Sequence, residues 1–156
     1  METDKRHFAT SGDQILQQYR QYIAAMQPQL PKLFGHLPKT PLEVQAMPAF
    51  RRTAPGAEYW QSNPEGTKPA IVKVNTSDFA SRTLINIETT AYHEGVPGHH
   101  LQISLAQTLP LPPFRQQAGY NAYIEGWALY AERLGKEIGF FKDPYNDYGR
   151  LSGELL

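Results

Sequence analysis

The spacing of its prolines limits what this chain can fold into. Between residues 29 and 66 prolines recur at positions 31, 38, 41, 48, 55 and 64. Because proline lacks a backbone N–H and has a restricted φ, it is poorly tolerated inside helices and central strands. This stretch is therefore predicted to form short helical turns and extended loops that wrap around the rest of the chain.

The remaining stretches leave room for regular helices. Asp13 is expected to be the N-cap of a first helix that ends before Pro28. Its apolar positions recur at helical spacing and are Ile15, Leu16, Tyr19, Ile23 and Met26. A second strong helix is predicted over residues 120–135, with Asp143 and Pro144 opening a last one. The apolar side of the second is expected to carry Tyr123, Trp127, Tyr130 and Leu134.

Residues 70–75, AIVKVN, are short, β-branched and partly alternating, and predict a strand. A helix over residues 82–94 should follow, with one apolar and one polar stripe. The polar stripe consists of Asn86, Thr89, Thr90 and His93. The predicted fold class is mainly α, a helical core with a short strand or small sheet before this motif helix.

Composition limits the partners and the chemistry. The 156 residues favour one domain, and the 15 basic residues balance the 15 acidic ones, so no nucleic-acid or membrane partner is indicated. Cysteine is absent, so a metal would have to bind histidine and carboxylate. The sequence as written has no signal peptide and predicts a cytoplasmic location, although a longer parent could be exported.

Histidines cluster in the segment YHEGVPGHHLQ, residues 92–102. In a familiar zinc motif two histidines four residues apart share a helix face, and the glutamate beside the first reaches the metal-bound water. Here the position four residues after His93 is Pro97, which clashes with the His93 carbonyl in a helix. The Pro97-Gly98 pair must therefore kink or bulge the helix and bring another histidine round to the site.

Two histidines follow the interruption. An insertion of two residues makes His99 the second ligand, which we favour, whereas a merely bent helix favours His100. The histidine that is not a ligand would hold a hydrogen bond behind the site or a substrate group. The competing interpretation is a polar turn whose imidazoles bind backbone groups.

A zinc site with two histidines usually takes a third protein ligand and leaves one position for water. Glu125 is the best candidate, because apolar and small residues flank it and a carboxylate buried there needs a partner. Glu132 could accept a hydrogen bond from a ligand histidine. A surface pair of Glu132 with Lys136 is the favoured interpretation of that residue.

The strings YHEGVPGHHLQ and YIEGWALYAERLGKE, together with LPKLFGHLPKTPLEV upstream, resemble the bacterial domain-of-unknown-function family 885. The likeness runs from about residue 29 to the end of the chain. Members of that family are regarded as zinc-metallopeptidase-like hydrolases related to the gluzincins. The resemblance implies that His93, a histidine of the Gly-His-His segment and Glu125 bind zinc, with Glu94 as general base. In the related dipeptidyl peptidase III family the zinc histidines also have a long spacer.

The resemblance also implies a division of the chain. Residues 1–28 would be a scaffold helix, and residues 29–156 part of a metallopeptidase-like catalytic domain truncated at its C-terminus.

The expected function is hydrolysis of a peptide or small amide with one Zn²⁺ ion, and the oligomeric state is undetermined. Strand 70–75 could offer its edge to an extended peptide. The alternatives are a metal-binding but catalytically incomplete fragment and a helical interaction module with structural histidines.

Overall fold

The structure, a computed structural model, describes residues 4–63, 65–112, 114–115 and 118–155. Its α-helices are α1 (Gly12–Met26), α2 (Leu30–Leu33), α3 (Ile87–Glu94), α4 (His99–Ala106), α5 (Asn121–Glu137) and α6 (Pro144–Glu154). Its strands are β1 (Leu42–Ala46), β2 (Ala57–Trp60) and β3 (Ala70–Val74). Short 3-10 helices lie at Lys5–His7, Gln27–Gln29, Ala49–Arg51 and Phe79–Ser81.

The fold is mixed α/β, so the expected mainly-α class is wrong. Helix accounts for only about 52% of the structure, and a three-stranded sheet accompanies it. Two of the three strands form in the proline-rich stretch that was predicted to be turns and loops. Pro41 immediately precedes β1 and Pro55 lies just before β2, so the prolines bound the strands without interrupting them.

The sheet has the strand order β1-β3-β2 and mixed direction. β1 runs parallel to β3, with Val44 opposite Val72, and β2 runs antiparallel to it, with Tyr59 opposite Val72. The predicted strand at residues 70–75 is therefore the central strand. The expectation that it offers an edge to a peptide is wrong, because both of its sides are paired. The strand at the edge of the sheet beside the motif helix is β2.

One hydrophobic core joins the sheet to the helices. Buried residues of α1, among them Tyr19 and Ile23, pack with Val72 of β3 and with Tyr92 of α3. The first helix is capped by Ser11, whose hydroxyl accepts a hydrogen bond from Gln14 N at 3.1 Å. The expected cap, Asp13, lies inside the first turn.

The later helices form where the sequence predicted them. Asp143 caps α6, with its carboxylate accepting from Tyr145 N at 2.9 Å. The predicted apolar side of α5 is wrong in part, because Tyr123 and Tyr130 are exposed. Its buried positions are mostly small, Ala128, Ala131 and Gly135 among them, and they let the helix approach α3 closely.

None of the helices in the described part of the chain is long and apolar enough to cross a membrane.

Candidate metal centre

The predicted kink at Pro97 is a complete break. α3 ends at Glu94 and α4 begins at His99, and in the turn between them Gly98 N donates to Tyr92 O at 2.9 Å. A Cβ on Gly98 would lie 1.9 Å from the His93 carbonyl oxygen, so only glycine allows this close approach. The turn places the imidazole rings of His93 and His99 with their centroids 4.7 Å apart.

Three side chains from three helices converge beside this turn. Nε2 of His93 lies 3.2 Å from Oε2 of Glu125, and Nε2 of His99 lies 3.6 Å from the same oxygen. One ligand atom from each of the three residues falls within 4.8 Å of the others. His93, His99 and Glu125 therefore form a compact group of two nitrogens and one oxygen.

The two separations from Glu125 Oε2 fit a zinc ion. Zinc binds imidazole nitrogen and carboxylate oxygen at about 2.0–2.2 Å in tetrahedral geometry, which places neighbouring ligand atoms roughly 3.3 Å apart. The distances of 3.2 and 3.6 Å lie close to that value. Two imidazoles and one carboxylate are also the donor set of catalytic zinc sites that leave a position open.

The second ring nitrogen of His93, Nδ1, is hydrogen-bonded to Glu132 on the side away from Glu125. Nδ1 lies 2.8 Å from Oε1 of Glu132, and Thr89 Oγ1 donates to the other carboxylate oxygen. Glu132 is only 4% exposed, so the favoured surface pair with Lys136 is wrong; Lys136 instead pairs with Asp147 at 2.8 Å. Such a carboxylate fixes the tautomer and orientation of a ligand imidazole.

Glu125 lies at the site, but the expected reason for its presence there, burial, is wrong. Its side chain is 54% exposed, so no cost of burial calls for a partner. Its helix is held against the turn and against α4 by two hydrogen bonds to backbone carbonyls. Trp127 Nε1 donates to Pro97 O at 3.0 Å, and Gln102 Nε2 donates to Tyr123 O at 3.0 Å.

His100, the alternative second ligand, lies outside the group of possible ligands. Its Nδ1 lies 3.3 Å from the hydroxyl of Tyr59 and 3.3 Å from that of Ser104. Burial lowers the pKa of His100 to about 4, opposed by a hydrogen bond to the Thr40 backbone. His100 therefore ties α4 to β2 as a neutral imidazole.

The two histidines of this group have opposite environments. Burial lowers the pKa of His93, but the hydrogen bond to Glu132 and the nearby carboxylates outweigh it and raise the pKa above its ordinary value. For His99, burial and then the charge of His93 lower the pKa to about 4. Nδ1 of His99 is buried and has no hydrogen-bond partner among the described residues.

Glu94 directly follows His93 and is the last residue of α3. Burial raises its pKa to about 7, while the charge of His93 and a hydrogen bond from the Tyr59 backbone N–H act in the opposite direction. A carboxyl group near neutrality can accept and return a proton. Tyr59 was not among the predicted site residues, because it lies in the stretch predicted to be loop.

A cavity of 930 Å³ opens on one side of the site, where His93 and Glu94 line it but His99 and Glu125 do not. The predicted polar stripe of the motif helix also faces it, through Asn86, Thr89 and Thr90. The site therefore adjoins a space large enough for a small organic ligand or a short peptide.

Comparison with known proteins shows the family of this chain. Among curated proteins none matches the chain. A solved structure from Colwellia psychrerythraea, described as a "putative lipoprotein", is 35% identical and superposes with a TM-score of 0.91 over 99% of this chain. The chain spans 28% of the length of that protein. A family model described as a bacterial protein of unknown function matches residues 1–156, including the first 28 residues that the motif likeness left out, and the chain thus belongs to the DUF885 family.

Proposed function

We propose that this chain forms the zinc site of a hydrolase that cleaves peptide or amide bonds. The observation that carries the proposal is the convergence of His93, His99 and Glu125, with the Glu125 carboxylate at zinc-ligand separations from both histidines. The relationship to gluzincins that the motifs imply belongs to the same proposal. A zinc ion held by these residues supplies Lewis acidity, which acidifies water and polarises a carbonyl group.

The protein residues have separate tasks in this reaction. Glu94 accepts a proton from the attacking water while the water oxygen bonds to the carbonyl carbon. It then returns that proton to the leaving nitrogen as the C–N bond breaks. Glu132 keeps Nδ1 of His93 protonated, so Nε2 is free to bind metal. The backbone N–H of Tyr59 holds the Glu94 carboxylate toward the cavity.

The position of β2 supports an extended peptide as substrate. Asn75 N donates to Gly56 O at 2.9 Å. Antiparallel pairing alternates the direction of the backbone groups, so those of Ala57 and Tyr59 point away from β3. The Tyr59 N–H already bonds Glu94 and Ala57 is buried, so an extended peptide would pair with the Tyr59 carbonyl on this edge, beside Glu94.

Zinc stoichiometry and turnover test the proposal together. We expect about one zinc per chain by elemental analysis, with loss of zinc in Glu125→Ala, because two histidines alone bind weakly. Glu94→Gln should keep its zinc and lose at least about 100-fold in hydrolysis of a peptide mixture. A chain that takes up no zinc contradicts the proposal, and zinc uptake without turnover supports the metal-binding, catalytically incomplete alternative.

The cytoplasmic location stays a prediction. The description of the Colwellia relative as a lipoprotein supports export of longer family members.

A further inference from the structure

Of the three proposed ligands, His93 lines the cavity, which continues from there into a region that hydrolysis itself does not use. It follows the polar stripe of α3 from His93, in the last turn of that helix, to residues that precede its first turn. There the lining includes two cations. Arg82 precedes α3, and Arg52 lies shortly before β2.

Neither arginine is neutralised. No ion pair within 4.0 Å involves Arg52 or Arg82 among the residues that the structure describes. Asp78 also lines the cavity but pairs with neither. Arg82 is half-buried, and its Nε donates to Ser77 O at 2.7 Å, which directs the guanidinium without cancelling its charge. A partly desolvated guanidinium attracts an anion more strongly than one in water.

The arginine end and the catalytic end belong to one space. Burial raises the pKa of Tyr19, the charge of Glu94 raises it further, and the cation of Arg82 lowers it. The charges of Glu94 and Arg82 thus both act on the hydroxyl of Tyr19, a residue that lines the cavity. The eight residues of α3 span about 12 Å, the length of three to four residues of extended peptide.

The direction of β2 decides which part of a substrate reaches the arginines. A peptide that pairs antiparallel with the outer edge of β2 runs in the opposite direction to that strand. Its C-terminal part then lies toward Gly56 and the residues before β2, where the arginines line the cavity.

We propose that Arg82, assisted by Arg52, binds a carboxylate of the substrate on the C-terminal side of the bond that is cleaved. The carboxylate is either the free C-terminus of a short peptide or an acidic side chain. The assignment of this ligand as a substrate rests on the proposed hydrolase function.

A binding measurement tests this without turnover. Calorimetry on the chain would compare N-acetyl-trialanine as the free acid, the same peptide as its amide, and N-acetyl-Ala-Glu-Ala amide. We expect one or both carboxylate-bearing peptides to bind at least about tenfold more tightly than the neutral amide, about 1.4 kcal/mol. A preference for the free acid alone identifies the C-terminus, and one for the glutamyl peptide identifies the side chain.

Substitutions locate the binding group. Arg82→Gln should abolish the preference, Arg82→Lys should retain part of it, and Arg52→Gln should weaken it. Arg133→Gln is the matched control, because Arg133 is exposed on α5 and pairs with Glu137 outside the cavity. Thermal unfolding of each variant shows whether it folds. If Arg82→Gln does not fold, Arg52→Gln and Arg82→Lys test the proposal in its place.

The proposal is overturned if no carboxylate-bearing peptide binds more tightly than the amide, or if folded Arg82→Gln keeps the preference. Zinc uptake and hydrolysis without a carboxylate preference would remove this inference and leave the proposed function. A carboxylate preference in a chain without zinc uptake would leave the carboxylate-binding site and remove the proposed function.

Discussion

At the residue scale, two glutamates of α5 have the opposite burial to that which their sequence neighbours indicated. Glu125 was expected to be buried and is exposed, while Glu132 was expected at the surface and is buried against His93 and Thr89. The two lie seven residues, or about two turns, apart, so both reach the same side of the helix. Only the packing of α3 against α5 decides which one is covered.

Glu132→Gln should weaken zinc binding by about 10- to 100-fold, because the amide keeps an acceptor for His93 Nδ1 but loses the charge that strengthens the imidazole as a ligand. Competition with a zinc chelator measures the change. Glu137→Gln, an exposed position on the same helix, should leave zinc affinity unaltered. Equal affinities for all three proteins would show that the buried carboxylate has no influence on the metal.

At the scale of elements, the break between α3 and α4 depends on Gly98. Gly98→Ala should destabilise the fold by at least about 3 kcal/mol, because its Cβ would meet backbone oxygens of His93 and Tyr92 that cannot rotate away. Urea unfolding gives the free energy. The control is Gly126→Ala, where nothing lies within 4 Å of the added carbon, and a gain of roughly 0.5–1 kcal/mol is expected in a helix interior. Similar values for the two would argue against the tight turn.

The first helix offers a second test, of its N-cap. Ser11→Ala should cost about 1 kcal/mol, because Gln14 N loses its acceptor. Asp13→Ala should cost only about 0.3–0.5 kcal/mol, the effect of one charge on the helix dipole. Thermal or urea unfolding ranks the two variants. A larger loss for Asp13→Ala would mean that the cap lies where the sequence first placed it.

At the scale of the whole molecule, the three proposed ligands come from three helices, so binding of zinc there would be linked to folding. Zinc at 100 times its Kd should stabilise the chain by about 2.7 kcal/mol, which raises Tm by roughly 5–10 °C. A chelator should reverse the shift. Glu125→Ala should show little of it, and an identical rise in that variant would place the zinc elsewhere.

The whole fold also accounts for the sheet that the sequence pattern did not predict. Prolines excluded helix from most of the stretch after residue 29 as expected, but β1 and β2 fit between them. Their pairing partner β3 is 10 or more residues away along the chain. Such pairing leaves no local pattern when the strands are only four or five residues long.

The sequence alone determined the helices α1, α5 and α6, the strand at β3, and the candidate site residues other than Tyr59. These follow from spacing, capping and proline, whose effects extend over one or two turns of chain. Tertiary structure alone decided that His99 and not His100 lies beside His93 and Glu125, that Glu132 is buried while Glu125 is exposed, and that β3 is the central strand. Each of these depends on burial and hydrogen bonding between residues that are distant in sequence. His93 and Glu132, for example, are 39 residues apart, and no local sequence pattern indicates their contact.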